Sequence, residues 1–326
     1  MPATHRARRA RGFRPILLYI LTLIAGTLLF AGAAAAQRGP DQSLREPVLR
    51  QIAPDLYFLF DFESSNSVFL VTDEGVLVID TRQHPRDGQD LIDRIRKISD
   101  KPIKWVINSH FHGDHHLGDP PFKALGATFI AQRDTAALMQ KTWPKEIARR
   151  QAFFKQHSFD PDETRLVMPD VTFDSQMTIR LGGREAVLMY FGPGQQAGDT
   201  FVLFPHARTL FTPGAFAKHS MPNMNFTPSV ENWIALLKKV AAMDVDRILP
   251  AHGDVASRAD VPELAAMLAD QYATVKAAVD QGIGVDEAVK TLTLDQYKDW
   301  RNYARREQEI RALYELIKTG KRSYLE

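Results

Sequence analysis

The chain contains no cysteine, so no disulfide can staple it and no thiolate can hold a metal; any cation must be bound by histidine, aspartate, glutamate or an amide oxygen. It also has no acidic residue before position 37, where Arg6, Arg8, Arg9, Arg11 and Arg14 stand alone. That imbalance accounts for the net charge of +2. Without the first 36 residues the chain carries 36 basic against 39 acidic side chains, a balance of −3. Nothing in that balance calls for nucleic acid or an anionic surface as a partner. Internal repeats at solenoid periods are absent, which excludes a repeat array. What is present is an ordinary globular composition, 44% hydrophobic and 25% charged over 326 residues, enough for one large domain or two small ones.

The first 36 residues read as an address. A basic stretch "HRARRARGFR" precedes an apolar run "ILLYILTLIAGTLLF", then "AGAAAAQ" with Ala34 and Ala36 spaced as A-x-A. This resembles a secretory signal peptide cut after Ala36, implying a periplasmic or secreted protein. The alternative is an uncleaved anchor, since Ile16 to Ala36 is long enough to span a bilayer. The Arg8-Arg9 pair hints at twin-arginine export. Residues 37–46 form a polar linker.

From there the pattern alternates strands and helices. "DLYFLFDFESSNSVFLVTDEGVLVID" predicts consecutive strands ending at Asp80, "GQDLIDRIRKIS" a helix, and "PIKWVINSH" a buried strand. Strand, helix, strand is a βαβ unit, whose ligands gather beyond the C-terminal strand ends. Arg133 to His157 reads as an amphipathic helix covering sheet surface. Strands return in "MTIRL", "EAVLMYFG", "TFVLFP" and "TLFT", with a Gly182-Gly183 hairpin turn between the first two. A helix opens at Ser229, and "VDRILPAHGD" gives a short strand leading to His252. Beyond Asp260 the sequence is helical and polar, with Tyr297, Trp300, Tyr303 and Tyr314 expected as core contacts. Whether this part packs on the domain or dimerises is open.

The chemistry concentrates in "NSHFHGDHHLGD", which gathers His110, His112, Asp114 and His115. Two residues apart on a strand share a face, so His110 and His112 can address one cation. Asp114 and His115, past Gly113, turn elsewhere and can address a second cation or the same one. Crowding these groups at a buried strand's end is costly without a cation.

The string resembles that of the metallo-β-lactamase superfamily, and the likeness runs from about Leu56 to Asp254 through "GVLVIDTR", "FGPGQQAGDT", "TLFTPGAF" and "PAHGD". The resemblance implies an α/β fold, an αββα sandwich over residues 47–258 with a C-terminal helical extension over 259–326. It implies one or two zinc ions at the shared sheet edge. His110 and His112 match two ligands of the three-histidine site; Asp114, His115 and His252 match the neighbouring one. Two departures follow. The position that completes the first site holds Gln195, a poor zinc ligand beside imidazole. Where the family carries a bridging residue, this chain has Gly214 and Ala215.

The expectation is therefore one zinc at Asp114, His115 and His252, with a second ion weak or absent. The catalytic residues are then Asp114 and Gln195, the latter orienting water or substrate. The reaction implied is hydrolysis of a small carbonyl or ester-type molecule such as a β-lactam or lactone. The alternative is a non-catalytic periplasmic metal- or ligand-binding protein on the same fold. Asp80, ending an apolar strand, matches an acid that braces the metal loop, and His116 is expected beside the ligands or at the surface. Lys218 stands where one lactamase subclass grips a substrate carboxylate. His219 lies four residues past the vacant bridging position and is a candidate substitute or substrate contact, the alternative being an exposed loop residue; the segment "KHSMPNMNF" around it is consistent with a loop over the pocket or with packing.

Overall fold

The structure is a computed structural model that describes residues 46–322 and 324. The expected signal peptide, 1–36, and residues 37–45 of the linker lie outside the described residues. No helix among the described residues is long and apolar enough to cross a membrane.

Seven strands form the first sheet in sequential order: β1 (Val48–Ala53), β2 (Leu56–Phe60), β3 (Ser67–Thr72), β4 (Gly75–Ile79), β5 (Ile103–Asn108), β6 (Thr128–Gln132) and β7 (Val171–Phe173). The pairs from β1 to β4 are antiparallel; β4 to β7 run parallel. The parallel half needs crossovers. They are α1 (Pro85–Arg96) between β4 and β5, α2 (Gly113–His116) and α3 (Asp119–Ala124) before β6, and α4 (Arg133–His157) before β7. The second sheet has the order β12-β11-β10-β9-β8, from β8 (Gln176–Leu181), β9 (Arg184–Met189), β10 (Phe201–Phe204), β11 (Thr209–Thr212) and β12 (Arg247–Pro250). Here β11 and β12 are parallel, joined through α5 (Val230–Ala241). The turn between β8 and β9 needs positive φ at both central residues; Gly182 and Gly183 supply +52° and +71°.

Strand alternation sorts the core into layers. In β4, Leu77 and Ile79 face the second sheet while Val76 and Val78 face α1, where Leu91, Ile92 and Ile95 cover them. In β10, Val202 and Phe204 point between the sheets, and Phe201 points to the opposite layer with Trp233 and Leu237 of α5. Phe58, Phe204 and Phe211 are fully buried between the sheets; each such ring contributes about 1.5–3 kcal/mol by leaving water. Helix, sheet, sheet, helix is the αββα sandwich expected.

The C-terminal extension continues the second helical layer. Its helices α6 (Val261–Asp280), α7 (Val285–Thr291) and α8 (Arg306–Thr319) join the α5 cluster. Trp300 and Tyr314 are buried there, and Tyr297 and Tyr303 pack half-buried against it. Three strands were not anticipated: β1, β6 and β7. β1 is a half-exposed edge strand without clean alternation, and β7 has three residues; pairing with neighbours defines them more than their own sequence does.

The sheets are stitched at one end. Asn66, just before β3, donates its backbone N–H to Ala251 O (2.8 Å) and its amide nitrogen to Pro250 O (2.8 Å) and Gly253 O (2.7 Å). Thr200 N–H reaches Ser109 O at 2.9 Å. The ends of β4, β5 and β12 therefore share one edge, where the titratable residues of the sequence motif gather.

Candidate metal centre

β5 ends at Asn108, and the chain passes through Ser109 to His112 before turning into α2. His116 was expected beside the ligands or at the surface. The backbone is helical from Gly113 to His116, so His116 turns inward: it is buried, with Nε2 3.0 Å from Phe111 O.

The helical turn brings Asp114 and His115 to the neighbourhood of His252. Asp114 Oδ2 lies 3.2 Å from His252 Nε2 and 3.6 Å from His115 Nε2, and the two imidazole nitrogens are 3.1 Å apart. Zinc bonds of about 2.0–2.1 Å at tetrahedral angles separate neighbouring donor atoms by about 3.3 Å. The three edges bracket that value, so this donor set fits a zinc-sized cation. His252 is the half-exposed member, its side chain 34% accessible, and the site opens on its side.

The electrostatics prepare these groups for metal. Burial holds the rings of His110, His112 and His115 well below their usual range, hence neutral, the form that ligates. Burial pushes the Asp114 carboxyl up, yet Arg150, His115 and His252 together hold it well below the ordinary carboxylate range. Arg150 donates to its other oxygen, Oδ1, and Ser65 donates to its backbone carbonyl.

Asp80 braces the centre. It adopts a left-handed φ of +59° at the end of β4, a conformation aspartate tolerates better than most residues. Its carboxylate accepts from Ser109 N–H (2.8 Å) and Ser109 Oγ (2.7 Å), and lies 2.7 Å from His115 Nδ1. A carboxylate on Nδ1 leaves Nε2 of the same ring facing the site. Burial pushes the Asp80 carboxyl up to about 8 against the two Ser109 bonds. Asp80, His110 and His115 also lie within ligand reach of one another, but both Asp80 oxygens are already engaged by Ser109 and His115.

His110 and His112 present a second, less complete arrangement. Their rings are 4.9 Å apart, and each Nε2 is buried without a hydrogen-bond partner. Orphaned nitrogens on two neighbouring imidazoles are what a cation would satisfy. Gln195 does not spend its amide on them. The local network orients its nitrogen to Gly214 O and its oxygen to Asn223 N–H, both 3.1 Å, with the Gln196 amide 2.7 Å away. Asp199, buried and pushed up to about 8 by that burial, accepts the Gln196 N–H at 3.0 Å and fixes the same turn. With this orientation the Gln195 amide is engaged by its own loops.

Lys218 and His219 are also placed elsewhere. Lys218 Nζ pairs with Asp260 at 2.8 Å and His219 Nε2 with Glu263 at 2.8 Å. Both partners belong to the start of the C-terminal extension, whose ion pairs draw these side chains to itself. The sequence pattern did not single out Ser65, Asn66, Ser109, Glu146 or Arg150, whereas Phe226 is the aromatic of the "KHSMPNMNF" segment. Phe226 sets its ring 4.2 Å from that of His112.

Comparison with known proteins decides the family: the model of the metallo-beta-lactamase superfamily matches residues 60–252. The chain belongs to this superfamily. Its members are mostly hydrolytic enzymes and usually bind zinc. Among curated relatives, a linear primary-alkylsulfatase of Pseudomonas sp. is 23% identical over 256 residues, 68% of this chain and 48% of that protein. A type 2 metallo-beta-lactamase of Elizabethkingia meningoseptica is 27% identical over 147 residues, 45% of this chain and 50% of that one. The chain thus spans about half the length of these relatives. Among solved structures, a stereoselective inverting sec-alkylsulfatase from Pseudomonas sp. matches with TM-score 0.70 at 17% identity, covering 82% of this chain and 50% of that one. A metallo-beta-lactamase from Pontibacter korlensis gives 0.55 at 17% identity, covering 68% of this chain and 99% of that one. At these identities the structures establish the superfamily fold.

Proposed function

We propose that this superfamily member is an exported, zinc-dependent hydrolase with a single-ion centre at Asp114, His115 and His252. The observation that carries the reading is the donor triangle of 3.1, 3.2 and 3.6 Å, three protein ligands open on one side as catalytic zinc sites require. A zinc ion bound there supplies a Lewis acid that polarises a carbonyl or ester oxygen and acidifies water.

The chain's own residues do the rest. Asp80 fixes the His115 ring, Asn66 fixes the backbone on both sides of His252, and burial keeps the imidazoles neutral. Phe226 covers the His112 side and excludes water there. The half-exposed His252 leaves the approach for a small substrate. The relatives' names, alkylsulfatase and beta-lactamase, favour an ester or amide-type bond to an acidic or acyl group. Export, read from the first 36 residues, favours a substrate met outside the cytoplasm, such as a β-lactam, a lactone or a sulfate ester.

The second reading, a binding protein without turnover, draws on Gln195 and Ala215, which leave the His110/His112 arrangement short of ligands. The test is hydrolysis by the zinc-loaded chain across nitrocefin, aryl lactone, aryl acetate and aryl sulfate panels. Turnover of one class that disappears in Asp114→Ala and His252→Ala supports the enzyme. Zinc binding at about one ion per chain with no turnover in any class supports the binding protein.

A further inference from the structure

We propose that Arg150 is a positioning residue for the metal centre: it holds one oxygen of Asp114 so that the other alone faces the cation. The proposal rests on the reading of Asp114, His115 and His252 as ligands. Arg150 lies outside the ligand motif, on α4, 36 residues further along the chain.

A terminal nitrogen of Arg150 donates to Asp114 Oδ1, while Oδ2 is the atom nearest His252 and His115. The carboxylate is thereby divided into a clamped oxygen and a ligating one. Left free, it could rotate or chelate with both oxygens. Arg150 is itself held. Glu146, one turn earlier on α4 and fully buried, places Oε2 3.6 Å from the same Arg150 nitrogen. That oxygen also accepts Gly113 N–H at 2.7 Å and an Arg149 nitrogen at 3.0 Å. One buried carboxylate therefore ties the arginine to the backbone immediately before Asp114.

The close approach explains a glycine as well. A Cβ at position 113 would sit 2.9 Å from the Leu117 side chain and 3.3 Å from Arg150 Nε, so a larger residue would press on the clamping arginine. Partners that orient a metal ligand typically change affinity by about 10–100-fold when removed. A lysine at 150 would keep the charge but lose the rigid planar guanidinium whose terminal nitrogen reaches the oxygen.

The experiment is a zinc titration of the full chain against a chromophoric chelator, with Arg150→Met and Arg150→Lys alongside the wild type and melting in EDTA as the check on folding. Arg150→Met is expected to weaken zinc about 10–100-fold, with Arg150→Lys recovering part of the loss. Cobalt(II) substituted into Arg150→Met should lose visible absorption intensity relative to wild type, because a freed carboxylate chelates and raises the coordination number. Zinc affinity in Arg150→Met within about twofold of wild type, or tighter, overturns the proposal. Should Arg150→Met fail to fold, Glu146→Gln carries the test: it loosens the arginine while keeping an acceptor for Gly113, and unchanged affinity there overturns the clamp. Failure of wild type to take zinc at all refutes the metal reading and the clamp with it, whereas normal wild-type binding with an unaffected Arg150→Met refutes the clamp alone.

Discussion

The two halves of the candidate centre differ in how the fold finishes them. On one side, Asp114, His115 and His252 each have a supporting contact: Asp80 behind His115, Arg150 behind Asp114, and Asn66 on the backbone flanking His252. On the other side, His110 and His112 stand with unpartnered Nε2 atoms, and the residue aligned to complete them is bound by backbone groups of Gly214 and Asn223. The lesson is that ligand identity alone does not make a site. The supported half is fixed from three directions by residues distant in sequence, whereas the other half retains imidazoles, His110 held through Nδ1 by Ser109 Oγ at 2.9 Å, without a third ligand to complete them.

The sharpest way to break this contrast is to remove a ligand from the supported half. Asp114→Ala or His252→Ala should abolish stable zinc binding and lower hydrolysis on the order of 10³-fold or more, since the Lewis-acid contribution amounts to several kcal/mol; metal analysis and steady-state kinetics check it. Asp80→Asn should weaken zinc about 10–100-fold by releasing the His115 ring, measured by chelator competition. His112→Ala, on the unsupported half, should leave zinc affinity within about threefold of wild type, because a partner outside the occupied triangle has little to orient. If it matches His252→Ala, the two halves are one site and the contrast fails.

Gln195→His sharpens the same comparison from the other side. A third imidazole near the orphaned pair should admit a second, weaker ion, raising stoichiometry from about one toward about two. A stoichiometry that stays at one means that position 195 does not face His110 and His112.

The smallest effect lies far from the metal. Glu309 of α8 is buried, which pushes its carboxyl from the usual 4.5 up to about 7, and it accepts Met224 N–H at 2.6 Å. The folded chain therefore holds this proton more tightly than the unfolded chain. The stabilisation is complete below pH 4.5 and is lost as pH rises through about 7. Urea titrations should show about 1–3 kcal/mol of stability lost across that window from this group. Glu309→Gln should remove its share of the slope.

Much of this was legible in the sequence for identifiable reasons. His110, His112, Asp114 and His115 sit within six residues at the end of an apolar strand, so local pattern and ligand chemistry agree. Asp80 was legible as a strand terminus beside them. Arg150 and Asn66 were not, because their contacts cross 36 and 184 residues and exist only once α4 and β12 are docked. His116 was placed beside the ligands rather than among them, although the helical turn of α2 that buries it was not legible. Lys218 and His219 pair with Asp260 and Glu263, with His219 exposed in its loop, and nothing local to either segment announces the other. The hairpin at Gly182-Gly183 and the cap at Ser229 came through because each depends on its own few residues; Ser229 accepts Asn232 N–H at 3.2 Å.

The most direct measurement is the zinc content of the purified chain after dialysis against a weak chelator, read beside that of His252→Ala. The account predicts about one tightly held zinc per wild-type chain and none in the variant. A metal-free wild type, or a variant that keeps its full complement, would contradict it.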